Sequence, residues 1–365
     1  INGATDSLET TFQIQNGNDN VVAFAVDEVA NRVYLAHRTN EPIGGRLTAY
    51  DANNGYQFLG QTDLDLNPIR IGFNSATRQL FVSHDVDGLV SVFQDATAAP
   101  ADLFGNISTR TYVADGDNVL IGGFILGGSS PDTKRVMIRA IGPSLTQLGV
   151  GGALPDTTLE VHPTSGNVTT NDNWKINDAT GLSQQAEIEA TGLPPSNDLE
   201  SALVMTLPGG QSATAIVRGR NGTSGVGLVE VYDLDPGSPA KLLNISTRGN
   251  VGTGDNVMIA GAIILGSKSA QVVVRAIGPS LAGAGLPNPL EDPVLELRDP
   301  NGALIAVNDD WQEHEAEVNA TTLAPTDPRE SVIVATLYPA GYTAIARGKN
   351  GSTGVALVEA YYLSQ

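Results

Sequence analysis

The sequence predicts an all-β chain, and three observations carry that reading. Glycine and proline are abundant, at 41 and 20 residues, while 41% of residues are hydrophobic and only 16% charged, the balance of a globular chain rich in turns. Apolar residues alternate over short runs bounded by Gly, Pro and Asn, as in Ser201 to Leu207 and Thr214 to Arg218, which is the pattern of half-buried strands. Two internal repeats run at fixed offsets, so supersecondary units or whole domains recur in space. A length of 365 residues suits two or three domains, each with enough chain for a core.

Residues 1–18 read as an extended arm. Leu8-Glu-Thr-Thr-Phe-Gln-Ile-Gln15 alternates as a free strand does, with Leu8, Phe12 and Ile14 on one face, and such a strand is expected to add to a neighbour's sheet. The first residue is Ile1 rather than Met, so the chain is expected to be a processed product or a fragment. In residues 19–100, Phe24-Ala-Val-Asp-Glu-Val-Ala-Asn-Arg-Val-Tyr-Leu-Ala-His37 aligns with Ile71-Gly-Phe-Asn-Ser-Ala-Thr-Arg-Gln-Leu-Phe-Val-Ser-His84, 47 residues on. Each is followed by another strand pattern, Gly45 to Tyr50 and Gly88 to Phe93. This repeat, spanning about residues 20–94, resembles the blade repeat of YVTN-type β-propellers. The resemblance implies a propeller-like two-blade sheet. Two blades do not close a propeller, so either a longer propeller has been cut or the strands form an open sheet whose edges need a cover.

The larger repeat occupies residues 101–237 and 238–365. Asn106-Ile-Ser-Thr-Arg110 recurs at Asn244 to Arg248, 138 residues on, and Arg139-Ala-Ile-Gly-Pro-Ser-Leu145 recurs unchanged at Arg275 to Leu281. Trp174 answers Trp311, Glu200-Ser201 answers Glu330-Ser331, and Leu228-Val-Glu-Val-Tyr232 answers Leu357-Val-Glu-Ala-Tyr361. Asn221-Gly222 and Asn350-Gly351 lie between strand-like runs, where Asn-Gly takes the positive φ of a tight hairpin. Helix-like stretches are confined to Gln184 to Ala190 and Glu313 to Ala320. Each copy is therefore expected to be a β-sandwich. The run Leu295 to Trp311, followed by Leu337 to Ile345, resembles the bacterial pre-peptidase C-terminal type of domain and tandem modules of large secreted surface proteins. That resemblance implies two tandem jelly-roll-like β-sandwiches accessory to something else, and no catalysis.

Composition excludes several functions. A net charge of −20 and a pI near 4.4 exclude a nucleic-acid binder held by phosphate contacts. The absence of cysteine excludes disulfides, thiolate nucleophiles and Cys-ligated metals. The best apolar run, Val119 to Leu126, is interrupted by Gly122 and Gly123, so no membrane span is expected. An acidic, cysteine-free, Gly/Thr/Asn-rich chain with few lysines points to the extracellular space or the cell surface. Phosphate-loop, dinucleotide and His-Glu-x-x-His motifs are missing. Ser144 and Ser280 lack the Gly-x-Ser-x-Gly elbow, and the repeat supplies no matched histidine, so Gly-Pro-Ser reads as a rigid turn. Arg139 and Arg275 are expected to hold carboxylates such as Glu160 and Glu296, or carbonyls.

Three groups of candidate site residues remain. Asp292, Asp299, Asn308, Asp309 and Asp310, with Asp156, Asn171, Asp172 and Asn173 in the first copy, offer oxygens for calcium, although Asp and Asn are also ordinary turn formers. Trp174 and Trp311 are candidates to stack on a sugar ring, or to plug a sandwich end with the indole N–H satisfied. Among six Asn-x-Ser/Thr sequons, Asn106, Asn221, Asn244 and Asn350 form matched pairs, read either as glycan acceptors or as turn chemistry. The expected function is a non-enzymatic extracellular structural protein, a self-associating subunit of a bacterial surface filament, sheath or layer. The alternative is a calcium-dependent adhesin or carbohydrate-binding module of a larger secreted protein. A secreted hydrolase ranks behind both.

Overall fold

The computed structural model describes residues 20–27, 32–39, 44–52, 56–64, 66–74, 79–85, 88–94, 103–266 and 269–363. The described chain is all-β, with two short α-helices, and it divides into two compact units, residues 1–99 and 100–365.

In the first unit, β1 (Asn20–Asp27), β2 (Arg32–Arg38), β3 (Gly45–Asp51) and β4 (Gln57–Leu64) form an antiparallel meander in chain order. A second meander follows, made of β5 (Pro68–Asn74), β6 (Gln79–His84) and β7 (Val90–Gln94). Tyr34, Leu47 and Leu64 of the first sheet and Leu80 and Val82 of the second share one buried cluster, and the Tyr34 ring stacks on Phe73 at 5.4 Å. The 47-residue repeat is visible in side-chain pairs as well. His37 Nε2 lies 2.7 Å from Thr48 Oγ1, and His84 Nε2 lies 2.7 Å from Ser91 Oγ, each histidine reaching a hydroxyl on the next strand.

In the second unit, the first copy contributes β8 (Leu103–Val113), β9 (Leu120–Leu126), β10 (Thr133–Ile141), β11 (Thr157–Pro163), β12 (Thr169–Asn171), α1 (Gln185–Glu189), β13 (Ser201–Pro208), β14 (Ser212–Gly219) and β15 (Gly225–Asp233). The second copy contributes β16 (Leu242–Val251), β17 (Met258–Leu265), β18 (Ala270–Ile277), β19 (Pro293–Arg298), β20 (Leu304–Asn308), α2 (Glu315–Ala320), β21 (Ser331–Leu337), β22 (Gly341–Gly348) and β23 (Gly354–Leu363).

These strands pair in two antiparallel runs. One is β12-β11-β14-β9-β16-β23-β18-β21 and the other β20-β19-β22-β17-β8-β15-β10-β13; the single pair Asn250 to Tyr112 joins them into a 16-stranded sheet. Each run takes half its strands from each copy. β8 lies between its own β15 and the other copy's β17, while β16 lies between its own β23 and the other copy's β9. The copies are thus reciprocally joined, and they share one core. Ile107, Phe124, Ile138 and Val229 of the first copy belong to the same buried cluster as Ile245, Met258, Val274 and Val358 of the second. At the junction the buried alternation includes hydroxyls: Thr109 Oγ1 donates to Thr247 Oγ1 at 2.9 Å, and both residues are fully buried.

Two local expectations are corrected. Asn221 and Asn350 do take positive φ, 55° each, but their turns are not hairpins: β14 lies in one run and β15 in the other, and β22 and β23 are divided in the same way. The Asn-Gly turn is a corner between runs, tight enough that a Cβ on Gly348 would sit 2.0 Å from the Ser352 carbonyl oxygen. Arg139 and Arg275 reach across to Glu230 and Glu359, their neighbours on β15 and β23, rather than to Glu160 and Glu296.

Candidate functional site

The twice-repeated polar residues are built into the framework. Glu200 is fully buried, and its Oε1 accepts the Gly142 N–H at 3.1 Å, the Ser144 N–H at 2.9 Å and the Ser144 hydroxyl at 2.5 Å. Glu330 does the same for the N–H groups of Gly278 and Ser280, at 3.0 and 2.9 Å, and takes the Ser280 hydroxyl at 2.8 Å. The repeated Gly-Pro-Ser thus gathers its orphaned turn donors onto one carboxylate, and both serine hydroxyls are hydrogen-bond donors in that turn. Arg139 Nη1 donates to the Leu193 carbonyl at 2.7 Å and Arg275 Nη1 to that of Leu323 at 2.6 Å, fastening the segments after α1 and α2 to the sheet. Tyr232 and Tyr361 donate their hydroxyls to Glu230 and Glu359 at 2.8 and 2.7 Å. Burial, with the neighbouring carboxylate second, raises both phenols, Tyr361 to about 12. Both stay protonated near neutrality and act as donors.

The tryptophans are core residues, a correction to the sugar-platform reading. Trp174 is 4% exposed, packs on Met137, Ile188 and Ala202, and donates Nε1–H to the Asn197 carbonyl at 3.1 Å. Trp311 is 8% exposed, packs on Val273, Val318 and Val332, and donates to the Asp327 carbonyl at 3.0 Å.

The acidic set does not gather as one cluster. Asp299 closes the turn between β19 and β20, its Oδ1 accepting the N–H groups of Asn301 and Ala303 at 2.9 and 2.8 Å. Asn308 is buried and ties β20 to β21, with Oδ1 accepting the Val332 N–H at 2.8 Å and Nδ2 donating to the Asp310 carbonyl at 3.0 Å. Asp292 and Asp309 do meet, around the Lys349 ammonium, which lies 3.6 Å from one and 2.5 Å from the other. Arg220 takes that place in the first copy, paired with Asp172 and beside Asp156. In both copies the Oδ1 atoms of both aspartates are buried without a hydrogen-bond partner, and burial raises Asp156 and Asp292 from the ordinary aspartate value. Among the described residues no group of three or more His, Asp or Glu is arranged to hold a metal ion.

Of the sequon asparagines, Asn221 and Asn350 are exposed at the corners. Asn106 and Asn244 are instead buried in strands, with Nδ2 donating to the carbonyls of Val231 and Ile245. Leu8, Phe12 and Ile14 lie outside the described residues.

The residues that sequence reasoning missed lie on and beside the β19–β20 hairpin. Its turn, closed by Asp299 and by Gly302 at a φ of 81°, borders a cleft of about 490 Å³ that also involves Asn106 and Ser108 of the first copy with Gly261 and Thr343 of the second. The visible signal was Gly261, a glycine inside a strand pattern, which marks a close approach: a Cβ there would lie 2.6 Å from Ser108 Oγ. The cleft is mixed in character, with hydroxyls beside the 41%-exposed Ile263. On the outer strand of the hairpin, Leu304, Ile305 and Val307 are 53%, 43% and 53% exposed. Among the described residues β20 pairs only with β19, so its other backbone edge is open.

No protein-family model matches the chain, and no curated protein matches it significantly. Among solved structures, the chain is similar to the STIV MCP at 12% identity and a TM-score of 0.20, covering 70% of this chain and 96% of that one. A GH31 alpha-xylosidase from Xanthomonas citri gives 8% identity and a TM-score of 0.13, covering 96% of this chain and 38% of that one. Likenesses this distant carry no argument about fold or function.

Proposed function

We propose that this chain is a non-enzymatic structural protein of the cell exterior, a subunit that self-associates into a filament, sheath or layer through β-strand and domain contacts. One observation carries the reading. The two copies are joined edge to edge, β8 to β17 and β9 to β16, and share one core, so they form a single compact body, and their recurrent Glu, Arg, Ser and Tyr residues brace each copy. Negative-stain electron microscopy of purified native material, with and without EDTA, tests it. Ordered filaments or sheets are expected, and dispersed single particles across concentrations would overturn it.

A second reading, a calcium-dependent adhesin or carbohydrate-binding module, is favoured by the unpartnered inner oxygens of Asp292 and Asp309, to which calcium is a suitable partner. Loss of order in EDTA would make calcium part of the joint. A rise in thermal midpoint on adding millimolar calcium, absent when Asp292 and Asp309 are both changed to Asn, would place it at this pair. No helix among the described residues is long and apolar enough to cross a membrane.

A further inference from the structure

We propose that the open edge of β20 is the acceptor for residues Leu8–Gln15 of a second copy, which add to it as an extra strand; this rests on the structural-subunit reading above. The tandem copies provide an internal control. Leu304-Ile-Ala-Val307 of the second copy aligns with Asn167-Val-Thr-Thr170 of the first, where the shorter β12, starting at Thr169, is the outer strand beside β11 as β20 is beside β19. The fold therefore does not require three large apolar residues at this edge: the first copy has one, the half-exposed Val168. Leu304, Ile305 and Val307 are nevertheless about half exposed, on a strand whose outer edge pairs with no other strand among the described residues. An edge of this kind is a template for an incoming strand, with main-chain bonds supplying affinity and alternate side chains specificity.

Charge and pattern select the occupant. A chain of net charge −20 repels its own copies, so a joint between copies favours segments that are nearly uncharged. β20 carries no charged residue, and Leu8–Gln15 carries one, Glu9. The same segment alternates, with Leu8, Phe12 and Ile14 on one face against Glu9, Thr11, Gln13 and Gln15 on the other, which suits a strand with one face against apolar neighbours.

The test uses full-length chains. The acceptor variant carries Leu304→Asn, Ile305→Val, Ala306→Thr and Val307→Thr, the residues the first copy already accommodates at this position. The donor variant carries Phe12→Asp and Ile14→Asp. Circular dichroism and thermal midpoint confirm folding. Sedimentation velocity is expected to give growing oligomers for the unaltered chain, monomers for each variant alone, and dimers that stop at two when the variants are mixed. Growth of the acceptor variant like the unaltered chain, or no dimer on mixing, would overturn the inference and leave the structural reading standing. If the unaltered chain never associates, that reading falls, and a labelled Leu8–Gln15 peptide titrated into the donor variant decides the inference alone. Saturable binding weakened at least tenfold by the four acceptor changes supports it, and equal or absent binding ends it.

Discussion

Thr109 and Thr247 are polar residues whose burial is justified by packing. Their positions alternate with half-buried ones as apolar residues would, yet each brings a hydroxyl into the core, where Thr109 donates to Thr247 across the junction of the copies. Thr247→Val removes the acceptor of a buried donor and is expected to cost about 1–3 kcal/mol, whereas adding Thr109→Val should recover most of that loss. Denaturant unfolding of the two single variants and the double variant measures the coupling, and purely additive losses would contradict it. Tyr361 gives a pH dependence. Its phenol is raised to about 12, so between the ordinary value of 10.0 and 12 the folded state holds a proton that the unfolded state has released, and stability falls as pH rises through that window. Tyr361→Phe should make this alkaline decline shallower. An unchanged slope in thermal midpoint against pH from 9 to about 12 would refute the assignment. The matched Arg, Glu, Ser and Tyr residues were legible as architecture because they recur, but which Glu meets which Arg depends on strand neighbours that spacing does not reveal.

At the scale of elements, most strands and both short helices were readable, because alternation and Gly/Pro punctuation are local signals. The Asn-Gly turns were half readable. Positive φ follows from the residue types, but whether the chain then folds back on its own sheet or crosses to another depends on distant strands: β14 is held by β9 and β11, and β15 by β8 and β10. Gly348→Ala puts a Cβ against a backbone oxygen and is expected to cost about 1–3 kcal/mol or more. Asn350→Gly, which eases the left-handed conformation, should be close to neutral. Chemical denaturation separates the two, and a neutral Gly348→Ala would mean that the corner relaxes easily. The hairpin of β19 and β20 lies in the run Leu295 to Trp311, which entered the sequence reading only through its family resemblance. Its role as an outer edge was not readable, because edge and centre strands of similar composition look alike until their partners are known.

For the whole molecule, the reciprocal pairing of β8 with β17 and β16 with β9 joins the two copies into one compact unit with a shared core. Residues 100–365 are expected to unfold in a single calorimetric transition, and the first copy produced alone should lack a cooperative transition, since β8 and β9 would each lose a flanking strand. Two additive transitions, one for each copy, would contradict this. The sequence by itself determined that the chain is all-β and that two kinds of unit recur, because periodicity and duplication are properties of neighbours along the chain. Only the tertiary structure decided that the larger copies join edge to edge around one core, that the tryptophans and sequon asparagines of the strands are buried, and that β20 is an outer strand among the described residues. An alternating strand offers hydrogen bonds on both edges alike, so its partner is chosen by the burial and packing of segments more than a hundred residues apart.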